Sequence, residues 1–166
     1  LIQVTEDGGK NWRKLESFPG VPDRSYVSDV FPSSHDANTV YATFGNHKMG
    51  DYKPYVLKSV DRGRAWTSIT TGLPERGNVW TIAEDAVKPG LLYLGTEFGL
   101  YFSGDDGKNW LQLKSGLPTT AIRDIELQTT WDDLVLASFG RGFYILDDVS
   151  PLRWADDASV AQDATM

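Results

Sequence analysis

Three times along the chain the apolar positions fall into the same succession of short runs. Residues 26–31, 79–84 and 122–127 alternate apolar and polar side chains. Each is followed by a β-rich run at 39–44, 91–96 and 134–139, and then by another at 55–59, 99–103 and 142–146. Period-two alternation puts successive side chains on opposite faces of a strand. No stretch sustains a 3.6-residue period, so the pattern predicts an all-β chain with almost no helix. Gly20-Val21-Pro22, Gly72-Leu73-Pro74 and Gly116-Leu117-Pro118 punctuate the runs, and Gly and Pro at fixed offsets read as turns between strands.

An eight-residue motif recurs between these units. Thr5-Glu6-Asp7-Gly8-Gly9-Lys10-Asn11-Trp12 returns as Ser59-Val60-Asp61-Arg62-Gly63-Arg64-Ala65-Trp66 and as Ser103-Gly104-Asp105-Asp106-Gly107-Lys108-Asn109-Trp110. The shared pattern is Ser/Thr-x-Asp-x-Gly-x-x-Trp. The Asp side chain can accept hydrogen bonds from backbone N–H groups further along the turn. The Gly (Gly9, Gly63, Gly107) can take a positive φ, and the hydroxyl of Thr5, Ser59 or Ser103 can bond locally. The Trp (Trp12, Trp66, Trp110) can cover the hairpin's apolar side. Every fixed position then serves a self-bonded hairpin turn, which we favour over a metal or catalytic role for Asp7, Asp61 and Asp105. Four short strands recurring every ~40–50 residues give the period of a β-propeller blade.

Composition narrows the chemistry. The chain carries 23 acidic and 16 basic residues, a net charge of −7, which disfavours nucleic acid because phosphate binding calls for a basic face. There is no cysteine, hence no disulfide and no thiolate metal site. His35 and His47 are far apart and lack a ligand spacing, so no metal and no cofactor are expected. No apolar run approaches the ~18 residues of a membrane span. Asp29, Glu84, Asp85, Glu97 and Asp124 are carboxylates that a glycosidase could pair, but no catalytic residue can be assigned.

The repeated motif resembles the Asp box, or bacterial neuraminidase repeat. That motif is shared by sialidases, xyloglucan-cleaving endoglucanases, sortilin-type receptor domains and a photosystem assembly factor. The resemblance spans residues 1 to about 153 and implies a β-propeller far more firmly than any activity. The sialidase Arg-Ile-Pro signature is absent. The stretch 137–148, with Pro151-Leu152-Arg153, is similar to the end of the propeller in large bacterial sortilin-like proteins, often labelled glycosyl hydrolases. The resemblance implies an extracellular or periplasmic setting.

In that family the box lies between the third and fourth strands of a blade. On this labelling residues 1–18 are the outer hairpin of one blade, and 26–70 and 79–114 are complete blades. Residues 121–147 are the inner part of another, and 154–166 a flexible linker or tail. About three blade equivalents of a larger ring are expected. Remaining blades of a parent protein, or a second copy, would then cover the free sheet edges. The boxes share a face with the first-to-second-strand loops. By family analogy ligands bind the opposite face, which would hold Arg24, Tyr26, Glu75, Arg76, Asn78, Trp80, Glu97 and Arg141. Asp7 to Asp61 spans 54 residues but Asp61 to Asp105 only 44, and most of the excess falls at 45–54. Repeat proteins put insertions on the binding face, so His47, Lys48, Asp51 and Tyr52 join the candidates. The function expected is a binding or scaffold segment for a peptide or carbohydrate. The alternative is part of a carbohydrate-active hydrolase, with Trp80 and Trp131 stacking on sugars. An assembly chaperone fits less well, because the resemblance there favours a basic patch.

Overall fold

The computed structural model describes residues 1–114 and 116–154. The fold is all-β, with strands gathered into four antiparallel sheets in chain order. β1 (Ile2–Val4) and β2 (Arg13–Leu15) pair as a hairpin. β3 (Tyr26–Pro32), β4 (Val40–Asn46), β5 (Asp51–Ser59) and β6 (Thr67–Ser68) make a four-stranded blade. β7 (Val79–Glu84), β8 (Leu92–Thr96), β9 (Gly99–Ser103) and β10 (Leu111–Leu113) make a second. β11 (Ile122–Gln128), β12 (Asp133–Ser138) and β13 (Phe143–Leu146) form a three-stranded sheet, followed by the short helix α1 (Ser150–Trp154). The expected linker therefore opens inside α1 at Trp154; the rest of it lies outside the described residues.

Each sheet alternates side chains so that both faces of the inner strands are apolar, and neighbouring sheets share those faces. Ile2, Phe44 and Leu57 join the first hairpin to the β3–β6 blade, with Phe18 and Trp66 packed against them. Tyr41, Val56, Ile82, Leu94 and Trp110 fill the next interface. Tyr93, Leu100, Ile122, Leu134 and Leu136 fill the last. Polar links cross the same seams. The Asp29 carboxylate accepts from Thr81 Oγ1 at 2.9 Å and from the Ile82 N–H at 3.0 Å.

The three box motifs form one hydrogen-bonded turn, used three times. The Ser59 Oγ accepts from the Gly63 N–H at 2.8 Å and donates to Asp61 at 2.8 Å. Asp61 accepts from the Arg64 and Ala65 N–H groups. Thr5–Asp7 and Ser103–Asp105 repeat the pattern. The residue after the Asp and the Gly that follows are both left-handed in every box: Gly8 and Gly9, Arg62 and Gly63, Asp106 and Gly107. Two consecutive positive φ values suit a tight hairpin turn. At Gly107 an added Cβ would also meet Ile69 at 2.8 Å. The N–H of Arg62 donates to the Asn38 carbonyl and that of Asp106 to the Gly90 carbonyl. These bonds put the boxes on the same side as the β3–β4 and β7–β8 loops.

Ser103→Ala should cost about 1–2 kcal/mol in urea unfolding, because it strands the buried Gly107 N–H without its acceptor. Hydrogen bonds from Ala65 N–H and Ser59 hold the Asp61 carboxyl below its ordinary 3.8, and the Asn11 N–H does the same for Asp7. A folded-state value below the unfolded one means that this stability is present above the unfolded value and lost as pH falls through the folded one. Urea midpoints measured between pH 6 and pH 3, roughly the range spanning aspartate titration, should fall. The fall should be smaller in Asp61→Asn.

Candidate binding site

The first strands of three successive sheets carry the same irregularity. In β3 the pairing with β4 skips a residue between Val27 and Asp29. In β7 it skips one between Val79 and Thr81, and in β11 one between Ile122 and Asp124. A β-bulge leaves one residue unpaired and re-aims its side chain. The bulged residues are Ser28, Trp80 and Arg123. Ser28 donates to the Val79 carbonyl of the next sheet at 2.9 Å. The other two meet across the following seam: the Arg123 guanidinium lies 3.5 Å from the centre of the Trp80 ring and 4.9 Å from that of Phe139.

Trp80 and Arg123 form part of the wall of a cavity of about 900 Å³, on the side of the molecule away from the boxes. The 45–54 insertion contributes a second part. It lengthens the β4–β5 hairpin and closes it with a 3-10 turn, His47–Met49, that ends on left-handed Gly50. This turn sets His47 edge-on to Trp80 at 5.3 Å and Lys48 at 5.8 Å from the Tyr26 ring. The loop after β6 supplies Arg76, 5.2 Å over the Tyr52 ring. The β8–β9 turn supplies Phe98 and Glu97, and Glu97 accepts the Trp80 indole N–H at 2.9 Å.

Of the residues singled out from sequence, His47, Lys48, Tyr52, Arg76, Trp80 and Glu97 line this cavity, as do Tyr26 and Asn78. Arg24 lies in a left-handed turn beside a small recess near Leu1 and Phe18. Arg141 is exposed on the β12–β13 turn. Asp51 faces a neighbouring groove and accepts the Tyr55 hydroxyl at 2.6 Å. That bond, with those from the Lys53 N–H and Asn46, holds its carboxyl low, while burial first and Asp51 second push Tyr55 up to about 12. Arg123, Gly77 and Phe98 also line the cavity without having been singled out. For Arg123 a signal existed, since the repeat aligns 121–125 with 78–82 and so sets it at the position of Trp80.

The electrostatics run against the charge of the whole chain. Lys48, Arg76 and Arg123 stand around the cavity with one carboxylate, Glu97, already bonded to Trp80. Three buried polar atoms of the wall, His47 Nδ1, Asn78 Oδ1 and Arg123 Nε, have no hydrogen-bond partner among the described residues. Of the other carboxylates weighed for hydrolysis, Asp29 links two sheets. Glu84 is buried and accepts from Ser33, Ser34, Tyr41 and Gly90. Asp85 is bound by Arg153, and Asp124 caps its neighbour's N–H. Among the described residues no group of His and carboxylates could hold a metal, and no helix is long and apolar enough to cross a membrane.

A scan of protein-family models finds no match, and neither does a search of curated proteins. Solved structures do match. A structure of YCF48 bound to a D1 peptide is 20% identical with a TM-score of 0.62, over 87% of this chain and 44% of that one. The GH74 enzyme of Niastella koreensis is 18% identical with a TM-score of 0.59, over 74% and 21% of the two chains. An ancestral GH74 enzyme is 23% identical with a TM-score of 0.54, over 69% and 14%. The chain thus spans less than half the length of these proteins, and the likeness is one of fold. With its four-stranded antiparallel sheets in series, the chain is an arc of a β-propeller.

Proposed function

We propose that this chain is the binding and scaffold part of an Asp-box propeller of the sortilin-like kind, and that the cavity opposite the boxes captures a peptide bearing carboxylates. The observation that carries this reading is the set of three cations, Lys48, Arg76 and Arg123, each placed over an aromatic ring. A cation held on a ring face is pre-organised and partly desolvated, so it favours an incoming anion. The YCF48 structure shows a peptide on a propeller of the same fold. A sugar-stacking role fits Trp80 less well, because Arg123 covers one of its faces and Glu97 holds its indole N–H.

Arg76→Ala should weaken binding of an acidic peptide about tenfold, the loss of one charge-assisted hydrogen bond, with the urea midpoint unchanged because Arg76 is exposed. Titration calorimetry against urea unfolding separates the two effects. The hydrolase reading draws on the GH74 likeness. Turnover of chromogenic glycosides that Glu97→Gln abolishes would establish it instead. We also propose that the outer edge of β13, which no strand covers among the described residues, docks a further blade or a second copy. Phe143 and Ile145 on that strand are 76% and 62% exposed. The extracellular or periplasmic setting rests on the sequence resemblance.

A further inference from the structure

A second groove of about 780 Å³ adjoins the cavity and shares Tyr52 and Arg76 with it. Its floor is the outer side of β5, from Asp51 to Tyr55, and its far wall includes Thr70, Leu73 and Pro74. β6 pairs with β5 at Leu57 and Lys58, so among the described residues the Asp51–Tyr55 stretch has no strand on that side. The Tyr52 carbonyl accepts from the Gly77 N–H at 2.8 Å, which fixes the way this edge points. The pairing with β4 is irregular at the same place: Phe44 faces Tyr55 and Asn46 faces Asp51, so Tyr52–Pro54 stand opposite Gly45 alone and Pro54 has no paired residue on β4. Among the described residues no turn or loop N–H donates to the Pro54 carbonyl. Pro54 has no N–H to offer, so the edge presents an acceptor without the matching donor. Such an edge resists wholesale strand pairing but accepts one rung from an extended guest.

We propose that this groove is a second subsite for the ligand of the first. An extended peptide anchored by its acidic end beside Arg123 crosses the Tyr52–Arg76 ridge, lies along β5 and donates a backbone N–H to the Pro54 carbonyl. The inference rests on the peptide-binding reading above and adds to it the direction and length of the ligand. The groove's own charges are mixed, with Asp51 and Glu75 against Lys53, between Leu73 and the prolines 19, 54 and 74. The residues that follow the acidic end are therefore apolar or uncharged.

The test uses a peptide selected on the whole chain from a phage-displayed library of about ten residues, long enough to cross both cavities at roughly 3.3 Å per extended residue. The selected peptide and its two halves are then titrated by fluorescence anisotropy. The acidic half should bind alone but about tenfold more weakly than the whole. Thr70→Trp, which fills the groove, should weaken the whole peptide to the level of its acidic half and leave that half unaffected. A benzophenone at the non-acidic end should crosslink to residues 53–57, a readout that needs no variant to fold. An acidic half that binds as tightly as the whole, or a crosslink elsewhere, overturns the second subsite while leaving the first reading in place. Selection that yields no binder, or binders indifferent to Arg76→Ala, overturns the peptide reading and this inference with it.

Discussion

Arg153→Ala is expected to destabilise the chain by about 3 kcal/mol or more, the loss typical of breaking a buried ion pair from one side. Asp85 is fully buried and its carboxylate accepts from Arg153 Nε at 3.0 Å and from Nη2 at 3.1 Å. The same guanidinium donates to Asp132 at 2.7 Å. Asp85 also accepts from the N–H groups of Val87 and Lys88, and its carbonyl meets His35 of the preceding blade at 2.8 Å. Three sheets therefore meet at Asp85, and α1 delivers the cation that neutralises its carboxylate. Removing Arg153 leaves a charge in an apolar seam beside Tyr93, whose hydroxyl burial already holds in its neutral form. Urea unfolding should show the drop, and Arg153→Lys should recover only part of it, since an ammonium cannot reproduce the planar fork. A variant as stable as the parent would mean that the pair is not a fastening between sheets.

Gly95→Ala is expected to cost roughly 1–3 kcal/mol and to weaken ligand binding as well. A Cβ at Gly95 would stand 2.6 Å from Thr81 Cγ2 and 2.7 Å from the Ile122 carbonyl oxygen. The second contact is backbone of the neighbouring sheet and cannot rotate away, so the β8–β11 seam has to open. Thr81 and Ile122 flank the bulged Trp80 and Arg123, and the opening is transmitted to the stack that lines the cavity. Urea unfolding and peptide titration on one sample should both move. A change in binding without a change in stability would contradict the packing account.

Strands and box turns were legible because period-two alternation and a thrice-repeated motif both act locally, and each box satisfies its own hydrogen bonds. The face of the candidate site was legible too, through the 45–54 insertion and the repeat labels. The bulge was not. Val79-Trp80-Thr81-Ile82 reads as plain alternation, and only the skipped pairing with β8 reveals that Trp80 is re-aimed. Arg123 was within reach of the repeat alignment with Trp80, but its stacking on that ring across the seam was not. Arg24 and Arg141 share the face on paper, yet the structure sets them away from the cavity, because loop labels fix a face and leave position across it open. Arg153 closes the stretch that resembles a propeller's end, and its partner Asp85 lies 68 residues earlier, beyond the reach of any local pattern.

The indole N–H signals of the tryptophans report directly on ligand entry at the face opposite the boxes. Trp80 lines the cavity, whereas the indoles of Trp12, Trp66 and Trp110 donate to carbonyls of Gly9, Gly63 and Ile69 at the box turns and the seam beside them. Titration of ¹⁵N-labelled protein with the selected peptide should shift the Trp80 indole and the amides of His47, Tyr52 and Gly77 and leave the three box indoles in place. Shifts confined to the box indoles, with Trp80 unmoved, would contradict the account.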